Sequence, residues 1–363
     1  MNENPSTDEL ITEEKETPTL INDPFYKKYK LHLSIAAAVL VVGVSALAHY
    51  KNEKVKEELI RSISEYQQGL ILIGAEMKYN SIECSGIFTT DCEVEKIAFS
   101  MMGQEQLSIS SLRIGDVEAM GKFKGFGKGE EVDSSIDIEA KGVALPQPII
   151  AQLIAQNVNN AFQQNTLSKL SSIDMELKAD VVGNSMHLKE LDVEKFKIDN
   201  AIMPLEFSMK AREISSEAPD SMILERFALH AENKAISDVT YESVKSFVDT
   251  LNTEEKGLFL KEFGLTPAQI NDRAKASKAI NDAIAKRFEA DLPSTSGIVE
   301  KELIRAMIEM LKGEADTISL EGKNKNDLTM VQIQEILQKS STMSEAEAKK
   351  YMDDKFQLEV TTD

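Results

Sequence analysis

Residues 171–178 read SSIDMELK, and from Ile173 to Val181 an apolar side chain occupies every second position. Successive side chains of a β-strand point to opposite faces, so this alternation indicates a strand with one buried and one solvated face. Gly183-Asn184 follows directly and is typical of a hairpin turn. Strand patterns continue to residue 213 and return at 222–232. We therefore predict a meandering antiparallel sheet.

Two other stretches repeat this pattern. Residues 134–141 read SSIDIEAK, and residues 316–323 read DTISLEGK. Half-exposed strands converge on such a pattern independently, but an ancestral strand-helix unit used more than once would also produce it. Helical patterns at 147–165 and 330–339, after the first and third copies, favour the second explanation.

Helical periodicity marks three parts of the chain outside the strands. Residues 51–74 place Val55, Leu59, Ile63, Tyr66 and Leu70 at helical spacing, and Gly74 ends this amphipathic helix. Residues 237–313 form a helical insert in a β-rich domain that covers 75–236. Residues 314–363 read as strand, helix, helix and strand, returning to the sheet. The predicted fold class is α+β.

Local signals place several helix ends. Thr266-Pro267-Ala268-Gln269 combines an N-cap, a proline at the first helical position and a capping glutamine, and Gly264 and Gly313 stand where helices end. Two further helices are expected to start with capping boxes, Thr329 with Gln332 and Ser344 with Glu347.

An uncharged apolar run covers residues 31–50. Twenty helical residues at about 1.5 Å each span about 30 Å, the thickness of a bilayer's hydrocarbon core. Residues 1–30 are acidic and polar and are predicted to be a disordered cytoplasmic tail. Lysines flank the run on both sides, so the positive-inside rule decides little about its orientation. Ala46-Leu47-Ala48 leaves a cleaved signal peptide as an alternative, and either version exports the remaining chain.

Cys84 and Cys92 are the two cysteines of the chain. The seven residues between them include Gly86 and could form a hairpin that brings the two thiols within disulfide reach. A disulfide would indicate an oxidising compartment, whereas two buried free thiols would not. A metal site needs more ligands than this pair offers.

Composition and motifs argue against several functions. With 61 acidic and 41 basic residues the formal charge is −20, and the chain lacks tryptophan, so nucleic acid is not an expected partner. Nucleophile elbows, His-Glu-x-x-His helices and nucleotide-binding fingerprints are missing. His187 and His230 lie in strand patterns far from any cysteine. We predict a protein that is not an enzyme and has no cofactor or metal.

A glycine-rich stretch from Gly121 to Gly129 is predicted to be a hairpin loop, not a phosphate-binding loop, because no helix follows it. Its lysines form one of the few basic clusters after the apolar run and are candidates for contact with anionic lipid headgroups: Lys122, Lys124 and Lys128.

The order of tail, anchor and alternating strands with inserted helices resembles the AsmA-like and related membrane-anchored periplasmic proteins. Residues 79–86 (YNSIECSG) through 112–117 (LRIGDV) are similar to their opening strands. The resemblance implies a curved sheet with an apolar inner face and a role in outer-membrane biogenesis or lipid handling.

These patterns together predict a single-pass protein of the bacterial inner membrane with a periplasmic C-terminal domain. Its sheet is expected to present an apolar face to lipid or to a partner protein. The alternative is an envelope adaptor or assembly factor that docks a partner through the helical insert.

Overall fold

The computed structural model describes residues 24–145, 169, 172–295 and 297–363, with the backbone alone for 24–47. The chain divides into two compact units at Tyr50 and Lys51. Residues 51–363 form the second unit. The helical pattern predicted at 147–165 and the predicted tail up to residue 23 lie outside the described residues.

Helix α1 (Pro24–Leu72) begins within the stretch assigned to the tail. Most side chains of the predicted membrane segment, 31–50, lie outside those described. In the part of the chain that the structure describes, no helix is both long enough and apolar enough to cross a membrane.

The last turns of α1 pack on the sheet through Leu59, Ile60, Ile63 and Leu70. Tyr66, predicted to lie on this face, is 58% exposed. Ile60 joins the contact in its place, so the buried stripe is rotated from the one that the spacing suggested. Gly74 adopts a φ of +73° and turns the chain into the first strand, as expected for a helix end.

In the described part of residues 51–363, eleven strands form one antiparallel sheet. From β3 onward each strand pairs with the next along the chain, while β1 and β2 both pair with β3. The predicted meander and the α+β class are confirmed. The strands are β1 (Ala75–Lys78), β2 (Ser81–Ser85), β3 (Asp91–Met101), β4 (Gln104–Gly115), β5 (Val132–Ala144), β6 (Ser172–Gly183), β7 (His187–Asp199), β8 (Leu205–Ser215), β9 (Ile223–Glu232), β10 (Thr317–Asn324) and β11 (Phe356–Thr362).

The strand registers align apolar side chains into rows that cross the sheet. One row runs over nine adjacent strands, β3 to β11, through successive cross-strand partners: Cys92, Ile114, Ile138, Leu177, Phe196, Phe207, Leu229, Leu320 and Val360. A second row on the same face contains Val94, Leu112, Ala140, Met175, Ile198, Leu205, Ala231 and Ile318. The sheet therefore has one continuous apolar face.

The opposite face carries charged side chains in ion pairs between strands. Lys195 contacts Glu176 at 2.6 Å, and its hydrogen bond lowers the pKa of that carboxyl. Arg226 on β9 contacts Asp192 on β7 at 2.9 Å. Because alternate residues of each strand face opposite sides, the polar positions of the sequence pattern account for this solvated face.

The glycine-rich stretch joins β4 and β5, which pair antiparallel as in the predicted hairpin, but the connection is helical and not an irregular loop. Helix α2 (Val117–Gly121) leads into a 3-10 helix (Lys122–Lys128). The Asp116 side chain accepts a hydrogen bond from the Ala119 N–H at 3.1 Å, and this local cap starts the helix.

Four helices lie between β9 and β10: α3 (Ile236–Thr250), α4 (Thr253–Lys261), α5 (Arg273–Asp291) and α6 (Ile298–Lys312). The first three of them enclose a core that includes Tyr241, Val248, Leu260 and Ile280. Gly264 and Gly313 have positive φ after α4 and α6, as predicted.

The helix start predicted at Thr266 is wrong. The Gln269 side chain accepts a hydrogen bond from the Thr266 N–H at 2.8 Å, but the turn that follows is a three-residue 3-10 helix. Asp272, in an extended conformation, interrupts it and caps α5 instead.

After β10 the chain forms α7 (Met330–Ser340) and α8 (Glu345–Asp353) before β11. Both predicted capping boxes are present, at Thr329 with Gln332 and at Ser344 with Glu347. Ile336 and Met352 of these helices pack with Ile298 of α6 and with Leu358 of β11.

Candidate functional site

An apolar cavity of about 700 Å³ lies between the later strands of the sheet and the four-helix insert. This volume falls within the range of about 300 to 1,000 Å³ that is typical of small-molecule sites. Apolar residues from β8, β9 and β10 form its floor, and apolar residues from α3, α4, α5 and α6 form its walls.

The floor belongs to the two apolar rows of the sheet. Leu205, Ala231 and Ile318 are direct cross-strand partners on β8, β9 and β10, and all three line the cavity. Leu205 also pairs with Ile198 on β7, which is half-buried, and this row continues to Met175 on β6. The cavity floor is thus continuous with the apolar face of the central strands.

Aromatic and methionine side chains form the walls. The rings of Phe247 on α3 and Phe259 on α4 meet edge to face, with centroids 4.9 Å apart. Met310 is 4% exposed, whereas Met307, one helical turn earlier on α6, is 42% exposed. Phe247 is 40% exposed, so the cavity opens to solvent beside these two side chains.

Two hydroxyl groups line the cavity, those of Thr240 and Ser243. Thr240 donates its proton to the Ile236 carbonyl at 2.8 Å, and Ser243 donates to the Val239 carbonyl at 2.6 Å, both within α3. Since both protons are used inside the helix, these groups do not donate to a ligand. Their oxygens can still accept a hydrogen bond, but the rest of the lining is apolar and a polar ligand would recover little of its lost hydration, so the lining favours a hydrocarbon chain.

The predicted disulfide is confirmed. Cys84 and Cys92 are directly paired residues of β2 and β3, with their Cα atoms 4.1 Å apart.

An ion pair lies beside the disulfide: Arg113 on β4 contacts Asp91 on β3 at 2.6 Å. Burial acts to raise the pKa of Asp91, but hydrogen bonds from Arg113 and from the Asp116 N–H outweigh it and hold that pKa below its ordinary value.

Lys122, Lys124 and Lys128 are exposed on the 3-10 helix after α2. Lys122 and Lys124 border a cleft of about 500 Å³ with Val55 and Leu59 of α1. These lysines therefore lie at the end of the sheet that carries α1 and the disulfide, and not beside the apolar cavity.

The two histidines of the sheet belong neither to the apolar cavity nor to the end that carries the disulfide and the lysines. His187 contacts Glu213 at 3.0 Å, and His230 lies 2.9 Å from the Ser319 hydroxyl on the polar face. Neither lines the apolar cavity. Among the described residues, no group of three or more histidine, cysteine or acidic side chains is arranged to hold a metal ion.

No pattern in the sequence predicted the cavity. The signal that could have suggested it is the apolar spacing of Leu303, Met307 and Met310 on α6, together with Phe247 and Phe259. An amphipathic helix shows this pattern whether it packs tightly or roofs a cavity, so the pattern alone does not distinguish the two.

No protein-family model matches the chain, and no curated protein matches it in sequence.

Proposed function

We propose that this chain is a non-enzymatic, membrane-anchored envelope protein that holds the hydrocarbon chain of a lipid in the cavity between its sheet and its helical insert. The observation that carries the proposal is the apolar lining itself, which offers volume for a small ligand and two hydroxyls already engaged in α3. A hydrocarbon chain needs no hydrogen-bond partner and gains free energy when it leaves water.

The placement in the cell forms part of the same proposal. An apolar run of bilayer length at 31–50 supports a single-pass anchor in the bacterial inner membrane. The disulfide supports a periplasmic position for the domain, because such bonds persist in oxidising compartments. The broad apolar face of the sheet agrees with the lipid handling that the resemblance to AsmA-like proteins implies.

Native mass spectrometry of the full chain released from detergent, with palmitate as the probe, tests the binding. We expect a palmitate adduct on the unchanged chain and its loss in Ala231→Phe, because the new ring occupies the cavity floor. Ala228→Phe is the matched control. Ala228 lies on the same strand but on the polar face, where it borders a shallow cleft with Ser208 and Glu321.

An adduct on the control and none on Ala231→Phe supports the proposal. Equal adducts on all three proteins, or none on any, would contradict it.

A second candidate function is that of an adaptor that docks a partner protein through the insert. Leu258 on α4 favours it, because this side chain is 67% exposed and does not line the cavity. Leu258→Glu should abolish crosslinks to such a partner in cells and leave palmitate binding unchanged. If both properties survive Leu258→Glu, the Leu258 surface is not a docking site.

A further inference from the structure

The turn between β2 and β3, residues 86–90, exposes two large apolar side chains. Phe88 is 92% exposed and Ile87 is 57% exposed. Adjacent large apolar side chains that are exposed at a turn mark a surface that contacts a membrane or another apolar partner.

The turn is held rigidly, although its tip is exposed. The disulfide joins its two strands, and Thr90, which is fully buried, donates a hydrogen bond to the Asn52 side chain at 3.0 Å. Asn52 in turn donates to the Gly86 carbonyl at 3.1 Å. Lys51 donates to the Phe88 carbonyl at 2.8 Å. The turn is therefore fixed to the first two residues that follow the apolar run 31–50.

The basic stretch is fixed to the same place. The Val117 N–H donates to the Thr90 carbonyl at 2.9 Å, and Glu118 contacts Lys51 at 2.7 Å. These contacts position α2, and the 3-10 helix that carries Lys122, Lys124 and Lys128 follows directly. Among the described residues, no carboxylate forms an ion pair with these three lysines.

We propose that the turn inserts Ile87 and Phe88 into the interfacial layer of the bilayer, and that Lys122, Lys124 and Lys128 contact the headgroups of anionic phospholipids beside it. The inference rests on the proposed anchor at 31–50. Because Lys51 follows that segment directly, a turn bonded to Lys51 and Asn52 stays close to the membrane surface. Aromatic side chains favour this layer, and lysines gain from its negative potential.

The absence of tryptophan from the chain makes a direct test available. Phe88→Trp introduces a single tryptophan at the tip of the turn, which can be excited apart from the tyrosines. The full chain is reconstituted into vesicles of equimolar phosphatidylcholine and phosphatidylglycerol, with bromine on the acyl chains of one lipid or the other. We expect blue-shifted emission that brominated lipid strongly quenches.

Met102→Trp is the matched control. Met102 is 89% exposed in the turn at the other end of β3, and the eleven residues of that strand place it about 35 Å away. Its emission should resemble that of tryptophan in water and should not respond to bromine.

The lysines are tested by comparing the two quenchers. Brominated phosphatidylglycerol should quench Phe88→Trp more than brominated phosphatidylcholine does, because the lysines enrich anionic lipid near the turn. Replacing Lys122, Lys124 and Lys128 with glutamine in that variant should make the two quenchers equal. If they are already equal before this change, the role of the lysines is wrong.

Flotation with the vesicles separates this inference from the proposed anchor. If the chain floats but Phe88→Trp is as weakly quenched as Met102→Trp, the turn does not enter the bilayer and the anchor stands. If the chain does not float, both the anchor and the insertion of the turn are wrong.

Discussion

The two ends of the sheet use the same apolar face in different ways. At the first end, α1 packs on β1 to β4 and the side chains form a buried core, in which Val94 is 1% exposed and Ile97 is 3% exposed. At the other end, four helices cover β8 to β10 and leave a cavity of about 700 Å³, with Leu229 on its floor 36% exposed.

The difference follows from how α1 and the four-helix insert are each stabilised. A single helix such as α1 buries its apolar stripe only by packing on the sheet, so the contact closes tightly. The insert has a core of its own around Leu260 and Ile280, both fully buried. Its contact with the sheet can therefore remain open without unfolding the helices, and this freedom allows a ligand site.

The largest expected effect on the free energy of unfolding comes from truncating one isoleucine to alanine at each end of the sheet. Ile97→Ala should lower the free energy of unfolding by about 2 to 5 kcal/mol, because a filled core leaves a cavity where atoms are removed. Ile318→Ala, on the half-buried cavity floor, should cost only about 1 kcal/mol. Denaturant unfolding of the full chain in mild detergent measures both. Equal losses would mean that the two ends are packed alike.

A smaller contrast comes from adding volume within one row. Ala140 is 9% exposed, and Ala231 lies further along the same row at the cavity. Ala140→Phe should destabilise the fold by about 1 to 3 kcal/mol, because packed side chains must move to admit the ring. Ala231→Phe should leave the unfolding midpoint unchanged or raise it. A comparable loss in Ala231→Phe would indicate that no space exists there.

The smallest effect concerns the ion pair at the filled end. The folded state holds the pKa of Asp91 below its ordinary value, so its contribution to stability is present above the unfolded pKa and is lost as pH falls through the folded pKa. Asp91 and Arg113 are each 36% exposed, so solvent screening limits the loss in Asp91→Asn to about 1 kcal/mol at neutral pH.

This loss should disappear when unfolding is measured at a pH below the folded pKa. Glu131→Gln is the control, since Glu131 and its partner Lys189 are both 55% exposed and the pair should contribute almost nothing. A loss in Asp91→Asn that is the same at all pH values would contradict the electrostatic explanation.

The features that the sequence predicted are those that depend on neighbouring residues. Alternation revealed the strands, the pairs Thr329 with Gln332 and Ser344 with Glu347 revealed two helix starts, and the spacing of Cys84 and Cys92 revealed the disulfide. Each of these signals is complete within a few residues. For the same reason they could be read without knowing the tertiary arrangement.

The features that were missed depend on competition or on distant contacts. The Thr266 signal was real, but Asp272 provides a cap six residues later and α5 starts there. The side chain of Asp116 caps α2, in a stretch that was expected to be a loop. The cavity forms because Phe247 and Met307 on the insert lie opposite Ala231 on the sheet. No local sequence pattern specifies this arrangement.

Photocrosslinking with a palmitate that carries a diazirine in its chain, followed by peptide mapping of the full chain in detergent, tests the central contrast most directly. We expect labelled peptides from α3 and α6, which form walls of the cavity, and none from the buried core of β1 to β4. Labels spread evenly over both ends of the sheet, or confined to the end that α1 covers, would contradict it.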